Sequence, residues 1–376
     1  MKITRNILNY IKNRKIVNLF KTNFSKNVLI SYIVYPLRFK KTNDHNNQLE
    51  IHSISKIFYE LGFNVDVVFY KNDENLDFNK YDLVFGFGKT FEKSLNINNI
   101  KKIFYSTGSF PKFQNKQTKI RMLEVLKKTG KLMPESCRFN NDFNENVYLK
   151  SDAIILIGNE NTKNTYPESL HSKIFTINSF YNKELVYSPL KEINKRRKNY
   201  LYFTSNGAIH RGLDILLEYF SRHKNLNLYI STNLKNEKQF MDIYKKELSL
   251  ANIKYFGKNI MGSNKLNDII NNCLFTILPS VSEGQSTSIT NMAFCGLIPI
   301  ITKTCGTDLE KNGILIKNVN YNSINSAINK SQKLTNDQLK KINIKNKNDI
   351  TNHYSLEKYN KNIRNILLKI LEKENE

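Results

Sequence analysis

The sequence predicts an α/β protein in which two similar halves follow each other along the chain. Short apolar runs typical of buried parallel strands alternate with helix-period stripes, and this alternation pauses at the polar segment 184–198 before it restarts. The length of 376 residues suits two domains of ordinary size. We therefore expect two parallel sheets, each flanked by helices, with residues 184–198 as the linker between them.

The first half, residues 27–183, begins with a β-α-β pattern. Its helix is predicted over 47–61, where Asn47 and Glu50 suit a capping-box-like start, and a second long helix is predicted over 116–129. Six strands are expected in this half, at 28–34, 64–70, 82–87, 102–106, 153–157 and 173–177.

The second half, residues 199–355, repeats the alternation. Six strands are expected here, at 200–203, 227–231, 254–256, 274–278, 298–302 and 313–316. A final helix is predicted at the start of the segment 356–376.

The composition is strongly basic, with 58 Lys+Arg against 33 Asp+Glu and a formal net charge of +25. Such a charge favours polyanions, so a nucleic-acid-binding protein is one interpretation. The lysines are nevertheless spread along the chain among asparagines and isoleucines, and no nucleic-acid-binding motif is present. We therefore expect no nucleic-acid partner, and a basic surface can equally attract anionic lipids or nucleotides.

The basic N-terminal extension, residues 1–26, allows two interpretations. It mixes apolar and cationic residues as a helix on an anionic membrane surface would, or it packs on the protein as a helix or a frayed tail. No apolar run approaches the length of a membrane span. The four cysteines show no metal or disulfide spacing, with Cys273 and Cys295 in apolar segments, so we expect a cytoplasmic protein and no metal site. The inner face of the cytoplasmic membrane is the alternative location that the first interpretation of the extension implies.

The most informative segment follows the strand at 274–278. Glu283 and Gly284 precede a helix-period stripe, and Ser286 and Thr287 stand where that helix starts. Glycine admits close backbone approach, a helix N-terminus favours phosphate, and a carboxylate accepts hydrogen bonds from sugar hydroxyls. The loop therefore suits a ligand with a sugar at one end and phosphate at the other, although an ordinary capped helix with a surface glutamate fits the same residues.

The pattern Pro279-Ser280, Glu283-Gly284, a helix, and then Gly296-Leu297 with Pro299-Ile300 resembles the donor-binding motif of the retaining glycosyltransferases of family 4. That resemblance implies the GT-B fold, which is two facing Rossmann-like domains with a C-terminal helix that crosses back to the first domain. Family members carry two glutamates eight positions apart, which contact the donor sugar and the ribose. Here Glu283 fills the first position and Asn291 the second.

A second segment, residues 200–214, supports the resemblance. In the family an arginine and, five residues later, a lysine before Gly-Leu-Asp bind the donor diphosphate. Asn206 stands at the arginine position and Arg211 at the lysine position. The chain thus keeps one of two expected cations, and Lys258 or Lys303 are candidates for assistance.

The resemblance implies retaining transfer of a sugar from a nucleotide-diphosphate sugar to the hydroxyl of a carbohydrate or lipid-linked glycan, without cofactor or metal. Glu283 and Arg211 are the catalytic candidates, and both are expected in one cleft. The remaining donor-side candidates are Asn206, Gly207, His210, Gly284, Gln285, Ser286, Thr287 and Asn291. The acceptor-side candidates follow strands of the first half and are His45, Asn47, Thr107, Gly108, Ser109 and Asn159.

By association, the resemblance also implies a role in bacterial surface polysaccharide assembly, such as capsule or lipopolysaccharide. The lost glutamate and arginine leave a second interpretation open: a catalytically weak homologue that binds a sugar nucleotide or a partner without transfer.

Overall fold

The computed structural model describes residues 13–39, 46–72, 75–187, 190 and 192–372. Within them the chain forms two six-stranded sheets whose strands all pair in parallel. Every predicted strand is confirmed, with ends that move by at most two residues. The strands were predictable because parallel strands are covered on both faces, so each is a short continuous apolar run.

The first domain holds the sheet β2-β1-β3-β4-β5-β6. Its strands are β1 (Lys26–Tyr32), β2 (Phe63–Phe69), β3 (Leu83–Gly86), β4 (Lys101–Ser106), β5 (Ala153–Ile157) and β6 (Ile174–Ile177). Its α-helices among the described residues are α1 (Asn47–Glu60), α2 (Lys89–Ser94), α3 (Pro111–Thr129), α4 (Glu145–Lys150) and α5 (Glu160–Lys163). The connections turn to opposite sides of β1, so the switch point of this sheet lies between β1 and β3.

The second domain holds the sheet β12-β11-β10-β7-β8-β9. Its strands are β7 (Asn199–Phe203), β8 (Asn227–Ser231), β9 (Ile253–Tyr255), β10 (Phe275–Leu278), β11 (Ile298–Ile301) and β12 (Ile314–Leu315). The short helix α6 (Ile193–Arg196) precedes it, and its own helices are α7 (Leu213–Arg222), α8 (Lys238–Ile243), α9 (Lys245–Leu248), α10 (Asn264–Asn272), α11 (Thr287–Phe294), α12 (Tyr321–Lys333) and α13 (Asn336–His353). This strand order is that of dinucleotide-binding domains, with the switch point between β7 and β10.

Helix α3 begins at Pro111, five residues before the predicted start, because proline suits the first turn of a helix. This helix joins the two domains. Val125 on α3 and Met133 just beyond it are buried in the apolar core of the second domain. Arg121 on the same helix donates to Asp214 on α7 at 2.6 Å, and both side chains are buried.

The final helix, α14 (Leu356–Glu372), returns to the first domain, as expected. Its apolar face inserts Tyr359, Ile363, Leu367 and Ile370 into the core formed by β1, β3 and β4. The hydroxyl groups of Tyr359 and Tyr105 are 2.8 Å apart. The C-terminal helix is therefore an integral part of the first domain's core.

Of the interpretations open for the N-terminal extension, packing on the protein holds for residues 14–25, although the segment is not helical. Residues 1–12 lie outside the described part of the chain. Ile16 forms an antiparallel bridge with Val67, and the amide of Leu19 donates to the carbonyl of Val65 at 2.8 Å. The backbone groups of this segment are used on the edge of β2, which a helix would not allow. In the described part of the chain, no helix combines the length and apolar character needed to cross a membrane.

Truncating the apolar face of α14 is expected to destabilise the first domain. Leu367 is fully buried, so Leu367→Ala should lower the free energy of unfolding by roughly 2–5 kcal/mol. The exposed neighbour Lys369→Ala is the matched control and should change it by less than about 0.5 kcal/mol. Chemical denaturation of both variants measures this, and equal stabilities would contradict the packing of α14 described here.

Candidate functional site

A cavity of about 710 Å³ separates the two domains at the carboxyl ends of both sheets. In the second domain its wall is formed by the loops after β7 and β10, the two strands that flank the switch point. In the first domain Tyr32 at the end of β1 and Phe87 just after β3 line it, again at the switch point. Open parallel sheets bind their ligands at these positions, so the cavity is the candidate site.

Glu283 and Arg211 meet on the wall of this cavity, which confirms the expectation that both lie in one cleft. The Arg211 guanidinium donates from Nε to Oε1 at 2.6 Å and from Nη2 to Oε2 at 3.1 Å. Helix α7 begins only at Leu213, because Gly212 has a φ of +68° and interrupts the helical backbone. Arg211 therefore lies in the loop, with its side chain directed to Glu283 rather than along a helix end.

A third charged residue at this point was missed by the sequence analysis. Arg138, in the first domain, donates from Nη1 to Oε2 of Glu283 at 3.0 Å. It follows the short helical turn Pro134–Ser136 and is not adjacent to a predicted strand. Nothing local distinguishes it from the other basic residues of this chain, so no signal in the sequence could have selected it.

The three charges strongly affect one another. Burial by itself raises the pKa of the Glu283 carboxyl, but the positive charges of Arg211 and Arg138 outweigh burial and hold that pKa well below its usual range. The charge of Arg211, together with burial, lowers the pKa of the Arg138 guanidinium. Glu283 is thus a carboxylate shared between two cations, and the cluster carries one unneutralised positive charge.

In the loop after β7, residues 204–212 (the glycine loop), several backbone amides donate to other protein groups. The amides of Gly207 and Ala208 donate to the carboxylate of Glu237 at 2.7 and 3.0 Å. The amides of Ile209 and His210 donate to the carbonyl of Ser136 at 3.0 and 3.3 Å. The loop is therefore docked on the first domain, and Gly207 does not present its amide to the cavity.

His210, expected near the donor, is fully buried and does not line the cavity. Its Nε2 lies 2.6 Å from the carbonyl of Ser282, and its Nδ1 lies 2.9 Å from Oγ1 of Thr118 on α3. Burial lowers its pKa to about 4, so the ring is neutral, with Nε2 donating and Nδ1 accepting. The bond from Nδ1 links the two domains, and the bond from Nε2 links the loops after β7 and β10 within the second domain.

The loop after β10 touches the first domain at Gly284. A Cβ there would lie 2.3 Å from the carbonyl oxygen of Thr107 and 2.8 Å from Cα of Gly108, so this position requires glycine. Oγ of Ser109 donates to the carbonyl of Glu283 at 2.5 Å, and Oγ1 of Thr162 donates to that of Gly284 at 2.8 Å. Thr107 and Gly108 line the cavity, whereas Ser109 holds the loop in place.

The remaining donor-side candidates also line the cavity. Asn206 lies in the loop after β7, Gln285 and Ser286 directly precede α11, and Thr287 and Asn291 lie within it. Gln285 is held between the domains, since its Oε1 accepts from the amide of Ser179 at 2.6 Å. Oδ1 of Asn291 accepts from the amide of Asn182 at 2.8 Å. In the described part of the chain, the amides of Thr287 and Ser288 have no hydrogen-bond partner, as is usual for a first helical turn.

The first-domain wall contains Asn47, as expected, but also Glu50, which was expected to cap α1. The Glu50 side chain turns inward instead and accepts from the hydroxyl of Tyr32 at 2.6 Å. Burial raises the pKa of Glu50 to about 7, although hydrogen bonds from Tyr32 and Tyr105 partly oppose this. The capping-box prediction is wrong because α1 has no side-chain cap and uses this carboxyl at the cavity.

Two candidates lie elsewhere. Asn159 caps α5 and donates to Asp308 at 3.2 Å, in a separate depression that also contains Lys303. Neither residue lines the cavity between the domains, since both line this depression together with Asp308. Lys258 does line the cavity. His45 lies outside the described residues.

Comparison with known families gives a match over residues 189–349 to the model of "Glycosyl transferases group 1". This segment, which spans most of the second domain, is therefore similar to group 1 glycosyl transferase domains. The matched segment contains β7 to β12 and both loops that carry Arg211 and Glu283. No curated protein is significantly similar in sequence to the chain.

Comparison with solved structures shows that the two described domains together have the GT-B fold. A glycosyltransferase from Rickettsia africae is 13% identical, with 93% of this chain and 99% of that one covered and a TM-score of 0.61. Anabaena HepE in complex with UDP-glucose is 13% identical, with 92% and 99% covered and a TM-score of 0.60. WaaG, a glycosyltransferase involved in lipopolysaccharide biosynthesis, is 10% identical, with 90% and 99% covered and a TM-score of 0.52.

Glu50, on the first-domain wall of the cavity, predicts how the stability of the protein depends on pH. The folded state holds the Glu50 proton more tightly than an unfolded chain with the ordinary value of 4.5, so stability should fall as the pH rises from about 4.5 to about 7. Glu50→Gln removes this titration. Its free energy of unfolding, relative to that of wild type, should therefore increase by roughly 3 kcal/mol between pH 4.5 and pH 7.

Urea denaturation of both proteins at pH 5 and pH 8.5 measures the effect. Glu160→Gln, at an exposed carboxylate of α5, is the control and should follow wild type at both pH values. A difference between Glu50→Gln and wild type that does not change with pH would show that Glu50 is ionised throughout.

Proposed function

We propose that this protein transfers a sugar from a nucleotide-diphosphate sugar to a hydroxyl group of a carbohydrate or lipid-linked glycan. The observation that carries the proposal is the Glu283–Arg211 pair on the wall of the interdomain cavity, beside the first turn of α11. This places an acceptor of sugar hydroxyl bonds next to a cation and a helix N-terminus. A sugar and a diphosphate in one molecule match these two neighbouring chemistries.

The diphosphate is the leaving group, and its charge grows as the bond to the sugar breaks. The positive end of the α11 dipole, the amides of Thr287 and Ser288, and the nearby guanidinium groups would stabilise that charge. We propose retention of configuration, as the resemblance implies. The acceptor oxygen then bonds to the anomeric carbon on the face that the diphosphate leaves, and the acceptor proton passes to the departing phosphate oxygen.

Glu283 would orient the donor sugar through its hydroxyls. Asn291 would serve the ribose, because its Oδ1 is held by Asn182 and its Nδ2 is left to donate. HepE has been crystallised with UDP-glucose, which supports a uridine nucleotide as the first donor to test.

The acceptor would enter along the first-domain wall, where Asn47, Glu50 and Thr107 line the cavity. Amide and carboxyl groups on a wall of this kind bind the hydroxyls of a sugar. Participation of WaaG in lipopolysaccharide biosynthesis supports a similar acceptor class, a surface polysaccharide or its lipid-linked precursor, for this chain.

One observation favours a second function, the binding of sugar nucleotides without transfer. The Glu283 carboxylate already accepts hydrogen bonds from Arg211, from Arg138 and from Oγ of Ser280, the last at 3.0 Å. The hydroxyls of a bound sugar would therefore compete with these protein groups for the carboxylate oxygens. A protein in which these bonds persist would hold a nucleotide but leave the sugar unoriented.

Removing either member of the pair should abolish transfer. Glu283→Ala and Arg211→Ala should each lower kcat/KM by roughly a hundredfold or more, because each removes a preorganised group of the transition-state site. Release of nucleotide from UDP-glucose, UDP-N-acetylglucosamine and GDP-mannose measures both transfer and hydrolysis.

Lys303→Ala is the matched control, a cation of the same domain outside the cavity, and should retain wild-type turnover. Near wild-type turnover in both Glu283→Ala and Arg211→Ala would reject the assignment. Tight nucleotide-sugar binding without any nucleotide release by the wild type would favour the binding protein instead.

A further inference from the structure

We propose that Arg138, which the first domain supplies, is the cation that binds the donor diphosphate, while Arg211 acts mainly as a positioning residue for Glu283. This inference rests on the proposed function and refines it. The second domain has Asn206 where the resemblance implies an arginine. Arg138 supplies a guanidinium from the opposite domain at the same cavity.

The hydrogen bonds of the two arginines differ in number. A guanidinium has five N–H groups, and Arg211 directs four of them to protein acceptors: two to Glu283, one to Oγ of Ser205 and one to the carbonyl of Asn206. Among the described residues, Arg138 donates from its side chain only to Glu283. Arg138 therefore keeps most of its donors for a ligand, whereas Arg211 is nearly saturated.

Exposure follows the same division. The side chain of Arg138 is 36% exposed and that of Arg211 is 6% exposed, although both line the cavity. A ligand in the cavity can thus reach the free edge of Arg138, while the Arg211 guanidinium is enclosed by protein. Planar guanidinium groups with free paired donors are the groups that bind phosphate oxygens in bidentate fashion.

The charge of the cluster also calls for an anion. Two guanidinium groups share one carboxylate, and Lys258 adds another cation to the cavity wall. Both arginines donate to the same oxygen, Oε2 of Glu283, at 3.1 and 3.0 Å, and the repulsion from Arg211 lowers the pKa of Arg138. A diphosphate placed beside Arg138 would relieve this repulsion.

The protein fixes Arg138 in this position from both domains. Gly207 has a φ of +94°, and a Cβ there would lie 2.7 Å from Cγ of Arg138, so the glycine loop admits the arginine stem only because residue 207 has no side chain. The backbone of Arg138 is held by Gln114, whose Nε2 donates to its carbonyl at 2.7 Å. These contacts place the side chain across the domain boundary.

Binding of a diphosphate would change the hydrogen-bond partners of Arg138 and Glu283. When Arg138 binds the diphosphate, the carboxylate of Glu283 loses one of its two cations and becomes available to the hydroxyls of the donor sugar. Glu283 is thus a competitor for the diphosphate in the free protein. Its neutralisation should strengthen the binding of nucleoside diphosphates, whereas loss of Arg138 should weaken it.

The test is calorimetric titration of the full-length protein with UDP, GDP, ADP and CDP and with the matching monophosphates. Arg138→Gln should weaken the best-bound diphosphate by roughly tenfold to a hundredfold and the monophosphate by less than about threefold. Arg138→Lys should recover part of the loss. Lys116→Gln, the control, removes one exposed charge from α3 of the same domain and should bind with wild-type affinity. Glu283→Gln should bind the diphosphate severalfold more tightly than wild type.

The double variant Glu283→Gln/Arg138→Gln separates a direct role from an indirect one. A direct contact predicts that Arg138→Gln still weakens diphosphate binding at least about tenfold in the Glu283→Gln background. If its effect vanishes there, or if Arg138→Gln alone stays within twofold of wild type, Arg138 does not bind the diphosphate and only the proposal made here fails. If the wild type binds none of the four diphosphates, the proposed glycosyl transfer fails as well.

Discussion

The buried carboxylate of Glu283 is the constraint on which the site depends. It is shared by a guanidinium of its own domain, Arg211, and by one of the opposite domain, Arg138. A buried carboxylate is stable only while its partners remain, since removing one leaves an uncompensated charge in a poorly solvated place. The same three side chains therefore hold the cleft in its present form and define its chemistry.

Contacts away from the cavity keep the loops at this meeting point in register. Helix α3 bonds the second domain through Arg121 with Asp214 and through Thr118 with the neutral ring of His210. Gly284 allows the loop after β10 to rest on the backbone of the first domain. These groups are buried and have protein partners, so they fix geometry and leave ligand binding to the cavity wall.

Positions 206 and 291, where the resemblance implies charged residues, are asparagines in this chain. The second domain alone therefore offers a less charged cavity wall than the resemblance implies. The first domain contributes Arg138 in return. Under the proposed function, a donor site completed by two domains links the binding of the nucleotide to the position of the first-domain wall, where the acceptor would enter.

The sequence by itself determined the twelve strands and the Arg211 and Glu283 loops, because apolar periodicity and glycine-bearing loops are local signals. The order of the strands within each sheet, and with it the position of each switch point, was decided by the tertiary structure. Only the tertiary structure decided the roles of Arg138, Glu50 and His210. Arg138 reaches the site from 145 positions away in the sequence, Glu50 turns inward rather than capping α1, and His210 joins two domains. Whether a polar side chain faces a cavity, a helix end or another domain depends on packing between distant segments, and no local pattern records that.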